Sequence, residues 1–224
     1  PVAESLALAK KWTLFLGARL DDSRLYESSL SPRLALVYKR SASSTYKLIY
    51  GNAFRDPSMY ERFWEPSPSL HPERIRSIEF AYEKSIRKNL TLVASAYRYR
   101  LAGLIEGVAM EDDVLQYRNV ANSHASGVEM ELKGHLGDWL EGGASLALQR
   151  ASYQDRARPF PNSPHTLALL RASVPLWHQR VFLSPAASYM SARRTLFDSS
   201  VPGRWLVDLT AATAGLHRNF DLTF

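Results

Sequence analysis

Apolar and polar residues take turns along most of this chain. From Gly127 to Lys133 the order is Gly-Val-Glu-Met-Glu-Leu-Lys, with no break in the period. A strand places Val128, Met130 and Leu132 on one face, whereas a helix scatters them around its circumference. The same beat runs through Trp12, Leu14, Leu16 and Ala18, through Ile78, Phe80 and Tyr82, and through Leu140, Ala144, Leu146 and Leu148. Near the end, Phe220, Leu222 and Phe224 oppose Asp221 and Thr223. These signals predict about eleven strands, near 9–22, 31–41, 45–55, 73–86, 89–104, 115–136, 138–153, 165–175, 180–195, 204–215 and 219–224. No helix start-and-stop pattern stands out between them. The prediction is all-β.

Strand length and loop length narrow the class. Several predicted strands exceed the ~5–6 residues usual in soluble sheets and suit the ~9–11 residues that cross a bilayer at a tilt. Short links fall at 42–44, 87–88, Gly137, 177–179 and 217–218. Long ones alternate with them at 23–30, 56–72, 105–114, 154–164 and 196–203. Short turns on one rim and long loops on the other mark an antiparallel transmembrane β-barrel, with the long loops extracellular. A soluble β-sandwich also has many strands, but its loops have no reason to alternate in length. Pro185, inside a predicted strand, removes a ladder donor and predicts a bulge.

Energy sets the register. With Val128, Met130 and Leu132 toward lipid, Glu129, Glu131 and Lys133 face the lumen. The reverse puts three charges in hydrocarbon, where a basic residue costs ~2–4 kcal/mol at the midplane. The same choice turns Glu79, Glu83, Glu141, Gln149, Arg171 and Asp208 inward. Tyr26, Tyr38, Tyr50, Tyr82, Tyr97, Tyr99, Tyr153 and Tyr189 fall near strand ends, where interfacial girdles sit; ordinary β-propensity of tyrosine places them equally well.

Composition adds exclusions. The 224 residues contain no cysteine, which removes disulfides and thiolate chemistry. The net charge of +6 raises nucleic acid as a partner, but the cations are interleaved with Glu and Asp, so no nucleic-acid partner is expected. No dinucleotide, P-loop, zinc-protease or serine-hydrolase motif occurs. His124 near Ser126, with Asp112 and Asp113 upstream, admits an outer-membrane hydrolase; polar residues at a loop-to-strand junction account for them more simply. Glu111, Asp112 and Asp113 read as a solvated acidic loop, so no metal or cofactor site is assigned.

The stretch Tyr50-Gly51-Asn52-Ala53-Phe54-Arg55-Asp56-Pro57-Ser58-Met59-Tyr60-Glu61, followed by Leu70-His71-Pro72-Glu73, resembles the C-terminal barrel region of TonB-dependent outer-membrane receptors. Ser77, Glu79 and Glu83 continue that pattern. Asn89 to Ile105, Ala125-Ser126-Gly127-Val128-Glu129, Asn162-Ser163-Pro164-His165 and Ser191-Ala192-Arg193-Arg194-Thr195 are similar to further segments of the family, in the right order. The resemblance implies a partial barrel of about 11 strands from a 22-stranded receptor barrel. Residues 1–224 then correspond to a fragment of that barrel domain, without the plug domain, the first half of the barrel or the last strand.

It further implies an outer-membrane receptor, not an enzyme, taking up a scarce solute such as siderophore-iron or cobalamin. Its partners would be outer-membrane lipid, a small-molecule or metal-chelate ligand, and TonB, engaged through a missing N-terminal region. Candidate ligand contacts are aromatics and cations of the long loops: Tyr60, Arg62, Phe63, Trp64 and His71 in one, and Arg156, Arg158 and Phe160 in another. Aromatics offer stacking area and arginine pairs with anionic oxygens. A passive porin-like barrel, an outer-membrane hydrolase and a soluble β-sandwich binding module remain the alternatives. An odd number of antiparallel strands cannot close on itself, and open edges cannot exist in lipid. These 224 residues expressed alone are therefore expected to aggregate; a detergent-stable monomer in a sizing column would contradict this.

Overall fold

The computed structural model describes residues 2–22, 28–63, 69–110, 115–154, 160–195 and 199–213. Its strands are β1 (Val2–Ala9), β2 (Trp12–Asp21), β3 (Ser29–Ser41), β4 (Ser44–Arg55), β5 (Glu73–Arg87), β6 (Leu90–Ala109), β7 (Leu115–Leu136), β8 (Leu140–Tyr153), β9 (Thr166–Leu176) and β10 (Val181–Met190). Two short strands, β11 (Arg193–Arg194) and β12 (Ser200–Val201), form a separate ladder before β13 (Arg204–Thr213). One helical turn, α1 (Met59–Phe63), interrupts the loop after β4. Eleven strands make one sheet in the order β1-β2-β3-β4-β5-β6-β7-β8-β9-β10-β13, every neighbouring pair antiparallel. Among the described residues β1 and β13 are its two edges.

The sheet separates chemistry by face. Val128, Met130 and Leu132 are 46%, 50% and 38% exposed, so they are packed into no closed protein core. They lie in register with Ala96, Ala94 and Leu92 on one side and with Leu148, Leu146 and Ala144 on the other. The opposite face is hollow. Glu129, Glu131, Ser95, Ser145, Ser188 and Arg204 line one of its concavities, and Lys133, Glu141 and Arg171 line another. Register puts Glu79, Glu83, Gln149 and Asp208 on that inner side too. An apolar outer side around a polar inner side is the reverse of a soluble sheet, and it is the arrangement a bilayer demands.

Aromatic rings gather at the short-turn rim of the outer face. Trp12 stacks on Tyr38 at 4.4 Å between centroids, Tyr38 lies 6.0 Å from Tyr46, and Tyr46 stacks on Tyr82 at 4.8 Å. On the long-loop side of the same face, Tyr189 and Trp205 form a pair 4.9 Å apart. Tyr50 is outward as well. Tyr97, Tyr99 and Tyr153 instead point inward by register, so these three are not girdle residues. Tyr97 donates its hydroxyl to Gln149 Oε1 at 3.3 Å. Tyr26 lies outside the described residues.

Several expectations need correction. The strand expected over 9–22 is a hairpin, β1 and β2 around Lys10-Lys11, and the alternation of β1 is blurred by a register shift between Ala7 and Ala9. Residues 105–109, expected in a loop, continue β6. A register irregularity spans Leu101 to Leu104 there, and Gly103 adopts φ 70°, which interrupts the period of two. The predicted span to residue 195 stops at Met190. Pro185 makes no bulge. It stays in register with Leu209, while ladder partners toward β9 lapse at 184–185 without a shift, and Ser184 Oγ donates to Ser173 Oγ at 3.1 Å across the gap. The strand expected at 219–224 and the link at 217–218 lie outside the described residues.

Candidate functional site

The long loops and the extended β6–β7 hairpin meet at the rim opposite the short turns. Arg55 ends β4, and its guanidinium is shared. Nε donates to Glu73 Oε2 at 2.6 Å, while Nη1 and Nη2 donate to Glu61 at 2.9 and 3.1 Å. Glu73 is only 7% exposed, and its other oxygen accepts the N–H of Ile105 at 2.8 Å. One arginine thus ties the end of β4 to α1 and, through Glu73, to the bulged part of β6.

α1 begins with a capping box. Ser58 Oγ accepts the Glu61 N–H at 3.2 Å, and Glu61 Oε2 accepts the Ser58 N–H at 2.7 Å, so two otherwise orphan donors are satisfied reciprocally. The hydrogen bonds from Arg55 hold the Glu61 carboxyl below the ordinary carboxylate range against the opposing effect of burial, with the bonds from Ser58 adding to the lowering. A carboxyl whose folded pKa is depressed stabilises above its unfolded value of ~4.3 and loses that contribution as pH falls through the folded value. Hydrogen exchange at the Arg62 amide, which donates to Ser58 O at 3.0 Å, should therefore accelerate as pH drops below ~4, after correction for intrinsic exchange. A Glu61→Gln variant should lose that extra acid sensitivity.

The candidate loop residues fall around this anchor. Tyr60 is exposed and meets Tyr117 of β7 edge-on at 5.9 Å. Arg62 lies 5.8 Å from the Phe63 ring centre. His71 is held by its backbone: its N–H donates to Asn119 Oδ1, and Asn119 Nδ2 donates back to His71 O, both at 2.9 Å. Phe160 packs 5.0 Å from Tyr153, whose hydroxyl donates to Glu106 at 2.6 Å. Glu106, Tyr117 and Asn119 are close neighbours on the hairpin, where Ile105 pairs with Asn119, Glu106 with Arg118 and Gly107 with Tyr117. The structure therefore brings Tyr60 and His71 against one hairpin, with Phe160 packed on Tyr153, which bonds the same hairpin. Trp64, Arg156 and Arg158 lie outside the described residues, as do Glu111, Asp112 and Asp113.

Tyr117, Asn119 and Glu106 are not singled out by the sequence pattern, and Tyr153 is singled out there only among the tyrosines near strand ends. A signal existed: a strand beginning at Leu115 needs a partner beyond residue 104. Among the described residues, the His124 and Ser126 pair of the hydrolase reading does not assemble. His124 Nε2 is 3.0 Å from Ser152 Oγ, not paired with Ser126, and Ser126 stands opposite Arg98 and Arg150. Among the described residues no group of three or more His, Asp or Glu side chains could hold a metal.

A wall of antiparallel strands, apolar outside and polar inside, with its longer connections at one rim, has the architecture of a segment of an outer-membrane barrel. The family model described as "TonB dependent receptor-like, beta-barrel" matches residues 2–224, and the chain belongs to that family, whose members are β-barrels of the Gram-negative outer membrane. The chain is 28% identical over 124 residues to the vitamin B12 transporter BtuB of Vibrio cholerae serotype O1, which is 54% of this chain and 20% of that protein. Among solved structures, a mutant ferric enterobactin receptor from Pseudomonas aeruginosa superposes with a TM-score of 0.80 at 15% identity, over 99% of this chain and 37% of that one. The copper transporter OprC gives 0.78 at 18% identity, over 98% and 39%. At these identities the solved structures speak for the fold alone. The chain spans about a fifth of the length of the curated relatives it matches. The relatives named here are transporters and receptors.

Proposed function

We propose that this chain is part of the barrel wall and outer vestibule of a receptor that imports a scarce solute across the outer membrane with energy coupled through TonB. Residues 1–224 fall within the barrel domain of a longer protein that also carries a plug, the rest of a 22-stranded barrel and a closing strand. Family membership and the inversion of the sheet, with Val128, Met130 and Leu132 outside and Glu129 and Glu131 inside, support this reading. The solute is of the class the named relatives carry, a metal chelate or a corrinoid. Its contacts are the vestibule side chains Tyr60, Arg62, Phe63, His71 and Phe160, together with Trp64, Arg156 and Arg158.

The full-length receptor tests this in two steps. Uptake of a candidate siderophore-iron or cobalamin should be lost in a host lacking TonB; uptake that persists there would identify a passive porin-like barrel. Arg62→Ala with Trp64→Ala should weaken ligand binding by roughly tenfold or more, while unchanged affinity would remove these residues from the site.

A further inference from the structure

Resting on the reading of the chain as an outer-membrane receptor with its short turns toward the periplasm, we propose that the short-turn rim is a docking surface for the peptidoglycan layer. Three neighbouring turns each carry a pair of cations. Lys10 and Lys11 link β1 to β2, Lys39 and Arg40 stand where β3 ends, and Arg87 and Lys88 link β5 to β6. All six are exposed. The order of the sheet sets these turns side by side. Consecutive turns lie two strands apart, so at ~4.8 Å per strand the basic pairs recur about every 10 Å along the rim.

This charge has no counterweight within the chain. Arg19, Lys47 and Arg55 each meet a carboxylate, at 2.6, 3.2 and 2.6 Å. Among the described residues, none of the six rim cations forms an ion pair. Across 9–12, 39–44, 86–90, 136–140 and 176–181 the one acid is Asp138, on the turn after β7. The opposite rim has the opposite sign. The long links at 23–30, 56–72, 105–114, 154–164 and 196–203 hold ten acidic residues against four arginines. The net charge of +6 is therefore polarised toward one rim, and a surface of one sign gathers partners of the other.

The aromatic belt sets the height of these cations. Trp12 and Tyr38, stacked on one another, directly adjoin Lys11 and Lys39 in the chain. Such rings sit at the headgroup level, so the turn tips beyond them stand in the aqueous layer. Lys39 also lies opposite Thr45, on the inner side by register and away from lipid. The polyanion of that layer is peptidoglycan, a glycan whose peptides carry free carboxylates at intervals along the strand. Four of the six cations are lysines. Lysine is depleted at protein–protein interfaces, and as a mobile point charge on a flexible stem it suits carboxylates spaced along a flexible polymer. Trp139 and Trp177, on the next two turns and 61% and 64% exposed, add flat apolar faces on which sugar rings can pack.

The test uses the full-length receptor in a neutral detergent and purified peptidoglycan sacculi, read by co-sedimentation. The parent protein should pellet with sacculi at low salt and stay in solution at ~1 M salt, where the Debye length is ~3 Å. Sacculi with amidated carboxyls should bind on the order of tenfold more weakly. In the variant K10Q/K11Q/K39Q/R40Q/R87Q/K88Q, the apparent Kd for unmodified sacculi should rise roughly tenfold to a hundredfold, with heat-modifiable gel mobility showing that the barrel is folded. Should that variant fail to insert, the doubles K10Q/K11Q and R87Q/K88Q should each show a smaller rise. Unchanged binding in the variants, or equal binding to native and amidated sacculi, would overturn the docking surface while leaving the barrel reading intact. So would a variant that loses binding to phosphatidylglycerol vesicles yet keeps its binding to sacculi, which would assign the cations to lipid. Labelling of a Lys11→Cys variant from outside intact cells would instead remove the orientation on which the surface depends.

Discussion

Lysine in place of Met130 should lower the stability of the full-length receptor in a bilayer by ~2–4 kcal/mol, the cost of a basic side chain near the midplane of a lipid-facing strand. Met130 is the middle of the outward run Val128, Met130, Leu132, and its cross-strand neighbours are Ala94 and Leu146. None of them offers an acceptor or a charge. One strand away, on the other face, Ser145 lies opposite Glu131. Lysine there enters a wet channel beside a carboxylate and should change stability by no more than about 0.5 kcal/mol. The pair of variants is measured by reversible denaturant unfolding in lipid vesicles. Equal costs at 130 and 145, or a neutral Met130→Lys, would mean that the outer face does not meet hydrocarbon. The contrast matters more than either value, because a simple loss of packing would not distinguish the faces so sharply.

The barrel wall was legible because its constraint is local and repeated. Each residue must face lipid or lumen, and period two records the choice over whole strands. The spans read as 45–55, 73–86 and 115–136 correspond to Ser44–Arg55, Glu73–Arg87 and Leu115–Leu136. The period failed where the backbone departs from a regular ladder. Gly103 and the shift beside it hid the outer part of β6, and the irregularity near Leu8 hid β1. α1 left only a Ser58-x-x-Glu61 box as its trace, too short a helix to show a stripe.

The vestibule was legible as a set of loop residues but not as an assembly. His71 meets Asn119 across 48 positions, and Tyr153 meets Glu106 across 47; nothing within either loop announces those partners. The resemblance segment behaves differently from what its placement beside the loop candidates suggests. Arg55, Glu61 and Glu73 spend their charges on one another. They position the loop; the side chains they position are the ones left to meet a ligand.

That division of labour makes Glu73→Ala the most informative change outside the lipid face. Removing the carboxylate leaves the Ile105 N–H, in a residue only 8% exposed, without its acceptor, and takes from Arg55 one of its two partners. An orphaned buried donor costs ~1–3 kcal/mol, here concentrated at the bulge of β6 and the base of α1 rather than spread over the sheet. Amide exchange at Ile105 and Arg62 should accelerate by roughly tenfold to a hundredfold, while amides in the middle of β7 and β8 keep their protection. Ligand affinity should fall as well, since Tyr60 and His71 are presented from the segment that loosens. Glu73→Gln keeps an acceptor for Ile105 but no charge for Arg55, so it should fall between the parent and the alanine variant. If exchange at Ile105 in Glu73→Ala matches the parent, the 2.8 Å bond from its N–H to Glu73 holds nothing in place, and the vestibule must be anchored elsewhere.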